Sequence, residues 1–134
     1  MTTTTLTKTA RTLVAAGTSN GAGSTTRGTL DMRTVHGGVL TMKITNGATG
    51  PTAQCEGRVL AAHNAGATPT AAGAGADWKT LFVFGGTTAN SKITERFYDI
   101  PPGVMHLEVE YTGNTGQAVT VEAFLSEVTS VSSV

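Results

Sequence analysis

The stretch Met105-His106-Leu107-Glu108-Val109-Glu110-Tyr111-Thr112-Gly113-Asn114-Thr115-Gly116-Gln117-Ala118-Val119-Thr120-Val121-Glu122-Ala123-Phe124-Leu125 carries the clearest structural signal in the chain. Met105, Leu107, Val109 and Tyr111 alternate with His106, Glu108 and Glu110, and then Val119, Val121, Ala123 and Leu125 alternate with Ala118, Thr120, Glu122 and Phe124. Successive side chains of a strand point to opposite faces, so a period of two marks strands buried on one side. Pro101-Pro102-Gly103 opens the first run and Thr112-Gly113-Asn114-Thr115-Gly116 closes it with turn chemistry. The pair is predicted to be a long β-hairpin.

Working outward, Leu40, Met42 and Ile44 alternate with Val39, Thr41, Lys43 and Thr45, a second half-buried strand. Weaker strands are expected over 5–16, 24–35, 54–62, 78–84 and 92–100, with turns at Gly17-Thr18-Ser19-Asn20-Gly21, at 46–51 and at Gly85-Gly86. The small residues over 65–76 have no period and predict a long loop. No segment holds the helical period of 3.6 for three turns. The tally is about eight strands, which predicts an all-β fold: a two-sheet antiparallel sandwich with jelly-roll topology favoured. An immunoglobulin-like sandwich is the alternative, but it usually sets a core Trp against two cysteines, and this chain has only Cys55.

Residues 1–134 are read as a single β-sandwich domain with flexible ends expected at 1–5 and 129–134. The N-terminal run Thr2-Thr3-Thr4-Thr5, continued by Thr7, Thr9 and Thr12, has two readings: a frayed tail, or an arm that adds to a neighbour's sheet edge.

Composition narrows the function classes. Threonine, glycine and alanine supply close to half of the residues, whereas 13% are charged and 5% aromatic. Nine basic residues balance nine acidic ones, so no positive field gathers nucleic acid or an anionic membrane. No run approaches the length of a membrane span or forms a signal peptide, and the expectation is a soluble protein made and kept in a cytoplasm. The lone Cys55 forms no intrachain disulfide and reads as a small buried hydrophobe.

Each candidate for chemistry has a simpler reading beside it. His106, Glu108 and Glu110 share one strand face and have the donors to hold a divalent cation. Same-face residues are about 6.5–7 Å apart along a strand, too wide to converge on a small ion, so a solvated outer face is expected, with Glu122 adding negative charge. His36 and His63 lie in other segments, and Gly21-Ala22-Gly23-Ser24 reads as a loop, not a nucleophile turn. Gly73-Ala74-Gly75-Ala76-Asp77 precedes a strand, the reverse of a phosphate cradle. Trp78, Phe82 and Phe84 are expected on one face as core aromatics, with a sugar-stacking platform built on Trp78 or Tyr111 as the competing reading. No catalytic, cofactor-binding or metal-ligating residue is assigned, and no enzyme activity or small-molecule substrate is expected.

The stretches Asp77-Trp78-Lys79-Thr80 and Pro102 through Gly116, set in a small Thr/Gly/Ala-rich β-domain, resemble small structural proteins of tailed bacteriophages. Among these the chain looks most like the jelly-roll cement, or decoration, proteins on HK97-type capsids, the Bordetella-phage type included. The resemblance implies a non-enzymatic virion protein on the capsid surface that binds the major capsid protein of an icosahedral shell and bridges capsomers. It also implies a homodimer or other homo-oligomer. Another phage part (tail, fibre or head-fibre subunit) and a carbohydrate-binding jelly-roll module are the alternatives.

Overall fold

The computed structural model describes residues 2–63 and 78–134 of the chain. The expected loop over 65–76 and the glycine run ending at Asp77 lie outside the described residues. Eight strands follow in order: β1 (Thr4–Asn20), β2 (Thr26–Asp31), β3 (Gly38–Asn46), β4 (Glu56–Ala62), β5 (Trp78–Gly85), β6 (Ile93–Ile100), β7 (His106–Thr112) and β8 (Val119–Ser133). They form two four-stranded sheets, β1-β8-β3-β6 (sheet A) and β2-β7-β4-β5 (sheet B).

The pairing is that of a ribbon rolled on itself. The first strand pairs antiparallel with the last, the second with the seventh, the third with the sixth and the fourth with the fifth. This is the jelly roll, and it favours that topology over an immunoglobulin-like order. The rolling corrects the expected hairpin: β7 pairs with β2 and β4 in sheet B, while β8 pairs with β1 and β3 in sheet A. The connection after β7 therefore crosses from one sheet to the other. Asn114 holds this corner. Its side-chain Nδ2 donates to the carbonyls of Asn20 and Gln117 (both 3.0 Å), and its Oδ1 accepts from Asn20 Nδ2 at 2.6 Å. Gly113 and Gly116 supply the positive φ that the corner needs (95° and 79°).

The inward faces follow the alternation closely. Leu40, Met42 and Ile44 of β3 and Val119, Val121, Ala123 and Leu125 of β8 meet Leu107, Val109 and Tyr111 of β7 and Val59 and Ala61 of β4 in one buried cluster. Cys55 lies in the same core, fully buried, and loss of water pushes its thiol up to about 11. Tyr111 keeps a polar tip in this interior, its hydroxyl donating to the carbonyl of Glu122. Across from Phe84, Gly57 leaves the room that the ring fills; a Cβ there would come within 2.4 Å of it.

Near both ends the described residues form regular pairs. Thr4 pairs with Ser133 and Leu6 with Val131, and Thr3 and Val134 exchange backbone hydrogen bonds of 2.7 and 3.0 Å. The threonine arm thus adds to the edge of its own C-terminal strand, which is neither of the two sequence readings.

Candidate docking face

The two sheets turn very different exteriors to their surroundings. On sheet A the cross-strand rows of the outward face are Thr41 between Phe97 and Phe124, Lys43 between Glu95 and Glu122, and Thr45 between Ile93 and Thr120. Phe97 is 73% exposed and Ile93 54%, and Val39, in the row with Asp99 and Ser126, is exposed as well. These apolar side chains stand among threonines, with one ion pair, Lys43 Nζ to Glu122 Oε1 at 3.1 Å. A shallow groove of about 300 Å³ runs over this face, lined by Thr41, Lys43, Glu95, Arg96, Phe97 and Glu122.

Both Phe97 and Ile93 are on β6, the edge strand of the sheet. An exposed apolar edge is what soluble proteins normally blunt. The inward side chains of the same strand are spent on closing the sandwich: Tyr98 stacks on Phe82 of β5 (centroids 4.3 Å apart, planes at 8°), and the Arg96 guanidinium sits 5.8 Å from the Phe84 ring centroid. Sequence reasoning found the strand but not this face. Both phases of Ile93-Thr94-Glu95-Arg96-Phe97-Tyr98-Asp99-Ile100 mix apolar and polar residues, so only the register with β3 decides which phase points out.

Sheet B exposes Leu81 and Val83 on its edge strand β5 but covers the middle of its exterior. His106, Glu108 and Glu110, expected on a solvated face, are 4%, 1% and 6% exposed. This is a correction with a clear origin. β7 is an interior strand, and its outward residues are flanked by Arg27, Thr29 and Asp31 of β2 on one side and by Arg58, Leu60 and Ala62 of β4 on the other. Glu110 accepts from Arg27 Nε at 3.1 Å, with Arg58 beside it in register. Glu108 accepts from Thr29 Oγ1 at 3.0 Å, while its other oxygen is buried with no hydrogen-bond partner among the described residues. Burial pushes the Glu108 carboxyl above its ordinary value, against the pull of the Thr29 bond and the Arg27 charge.

Next to this row lies a second apolar cluster of Leu60, Ala62 and Trp78, separate from the core between the sheets. Trp78 arrives there because of a register shift opposite Val59 and Leu60. Phe82 pairs with Val59 but Thr80 pairs with Leu60, which leaves Leu81 as an extra residue. One inserted residue reverses the facing of everything beyond it. Trp78 is therefore not on the face of Phe82 and Phe84, as the alternation suggested. It is 6% exposed and Tyr111 is fully buried, so neither ring offers a stacking platform.

The remaining candidates stay apart. His36 and His63 are exposed, His106 is buried, and among the described residues no group of three or more His, Cys, Asp or Glu side chains converges as metal ligands do. Gly21-Ala22-Gly23-Ser24 is the tight turn between β1 and β2, closed by the Ser24 amide on the Gly21 carbonyl at 3.0 Å.

Comparison with known proteins adds the fold's company. No protein-family model matches the chain, and no curated protein matches it significantly in sequence. Among solved structures it is similar to the K1 cleaved adhesin domain of the Lys-gingipain of Porphyromonas gingivalis W83 (TM-score 0.55, 12% identity, 96% of this chain and 98% of that one). It is also similar to a chain of the T13 viral particle of IBDV (TM-score 0.51, 7% identity, 90% of this chain and 31% of that one). The VP2 subviral particle of infectious bursal disease virus gives nearly the same match (TM-score 0.50, 10% identity, 91% of this chain and 32% of that one). This chain spans about a third of the viral chains. At these identities the likeness is one of fold alone.

Proposed function

We propose that the protein is a non-enzymatic virion part, a capsid cement or decoration protein that docks on the outside of an icosahedral shell and bridges adjacent capsomers. The observation that carries this reading is the exterior of sheet A, a broad sheet face that leaves Phe97, Ile93 and Val39 in solvent. Its groove is shallow, whereas the titratable side chains best suited to chemistry, His106, Glu108 and Glu110, are packed away on the other sheet. Such a face suits adhesion. The resemblance of the Pro102 to Gly116 stretch to phage decoration proteins supports the same reading, as does a fold shared with a viral particle.

On this reading the partner is the major capsid protein of an HK97-type shell, and the protein acts as a homodimer or other homo-oligomer at the virion surface. Many copies on a symmetric shell let modest contacts add up. The test is co-sedimentation with preassembled shells, combined with the temperature at which shells with and without the protein break. Binding and a higher breaking temperature are expected. Shells that neither bind it nor gain robustness would refute the proposal, and density on the tail instead of the shell would move the protein to a tail or fibre role.

A further inference from the structure

Resting on that reading, we infer that the outward face of β6, β3 and β8 is the surface that meets the partner, and that the partner presents an apolar socket rimmed by cationic side chains. Phe97 is the anchor. It is 73% exposed, stands at the edge-strand end of its row beside Thr41, and is flanked along β6 by the outward Glu95 and then Ile93 on one side and Asp99 on the other. Isolated exposed apolar residues are ordinary on protein surfaces. Here several share one face with a half-buried Phe124, and the strand that bears two of them is an edge. An aromatic ring held on a rigid sheet loses little entropy on docking, the property of residues that dominate binding energy.

The charge of the face identifies what it fits. Glu95, Glu122 and Asp99 point outward with a single lysine, Lys43, among them. Lys43 is paired with Glu122, which leaves Glu95 and Asp99 without an ion-pair partner among the described residues. Arg96 also lines the groove, but its guanidinium lies over the Phe84 ring and makes no ion pair with Glu95 or Asp99 among the described residues. The whole chain is neutral, so a local acidic excess of this kind is a property of the face alone. Lysine or arginine opposite Glu95 and Asp99 would give charge complementarity and set the register of docking.

The experiment uses shells assembled without the protein, incubated with the purified full chain and sedimented. Phe97→Ala is expected to weaken binding at least tenfold, and the charge reversals Glu95→Lys and Asp99→Lys to slow association and to remove part of the salt dependence of the wild type. Val83→Ala, which trims an exposed side chain on sheet B, serves as the control and should bind as the wild type does. Wild-type affinity in the Phe97, Glu95 and Asp99 variants, while the unaltered chain binds, would overturn this assignment of the face and leave the decoration role standing. Failure of the unaltered chain to bind shells would instead remove the proposed function, and this inference with it.

Discussion

The outward faces of the two sheets have the same kind of sequence and opposite fates. On sheet A, Thr41, Lys43 and Thr45 alternate with core residues and remain accessible, and so does the Phe97 ring beside them. On sheet B, His106, Glu108 and Glu110 alternate with core residues just as cleanly and are buried. The difference is in the neighbours. β7 lies between strands that bring Arg27, Arg58 and an extra apolar cluster to its outer side, whereas the outward side of β6 and β3 sets Phe97 among Thr41, Lys43, Glu95 and Asp99 with no apolar cluster over it among the described residues. A period of two states which side faces the core; it does not state that the other side is wet.

The comparison can be broken most directly by truncating apolar residues on the two exteriors. Leu60→Ala, on the covered exterior of sheet B, is expected to cost about 3 kcal/mol in denaturant unfolding, as a core truncation does. Next is Arg27→Ala, which leaves the buried Glu110 without its ion-pair donor; with Arg27 itself partly exposed, about 2 kcal/mol is expected. The equivalent cut on the open face, Lys43→Ala, removes the pair with Glu122 and should cost about 0.5 kcal/mol or less. Phe97→Ala should change stability least, within about 0.5 kcal/mol, so that any loss of shell binding reads on docking alone. Equal costs on the two faces would show that sheet B is not covered in solution.

Acidity sharpens the same contrast. The folded value of Glu108 lies above its unfolded one, so the stability linked to it is complete below the ordinary carboxylate range and is lost as pH rises through the folded value. Among the described residues the groups beside it are Arg27 and Thr29 on β2, Leu60 and Arg58 on β4, and His106 and Glu110 on its own strand. Glu108→Gln, which cannot ionise, is expected to gain in melting temperature over the wild type at neutral pH and to lose that advantage as pH approaches the carboxylate range. Asp31 has the opposite sign: its bonds to the Arg33 guanidinium hold it well below the usual range, so its contribution persists throughout this window. A difference between wild type and Glu108→Gln that is flat with pH would show that the Glu108 carboxyl is solvated.

Much of the fold was legible in local pattern. The alternation of β3 and β8 named their buried residues and that of β7 its core-facing ones, whereas the turn expected at Gly17-Thr18-Ser19-Asn20-Gly21 falls almost wholly inside β1. Legibility ended where two segments must be placed relative to each other. Thr112-Gly113-Asn114-Thr115-Gly116 has hairpin composition, yet the bonds of Asn114 to Asn20 make it a corner between sheets. One extra residue at Leu81 sends Trp78 to the opposite side from Phe84, and no spacing rule announces a bulge. The candidate face was hidden for a related reason, since β6 has apolar residues in both phases.

By itself, the sequence determined that this chain is built of strands, which residues of β3 and β8 face the inner core, and that its scarce ionisable groups make no recognisable catalytic motif. These follow from the period of two, from β-branched threonine and from composition, all of which are local properties. Only the tertiary structure decided that strand one pairs with strand eight, that the acidic row of β7 is covered, and that Phe97 faces outward. Each of these depends on the register between strands distant in the sequence, which sets what lies beside a side chain and is written in no single segment.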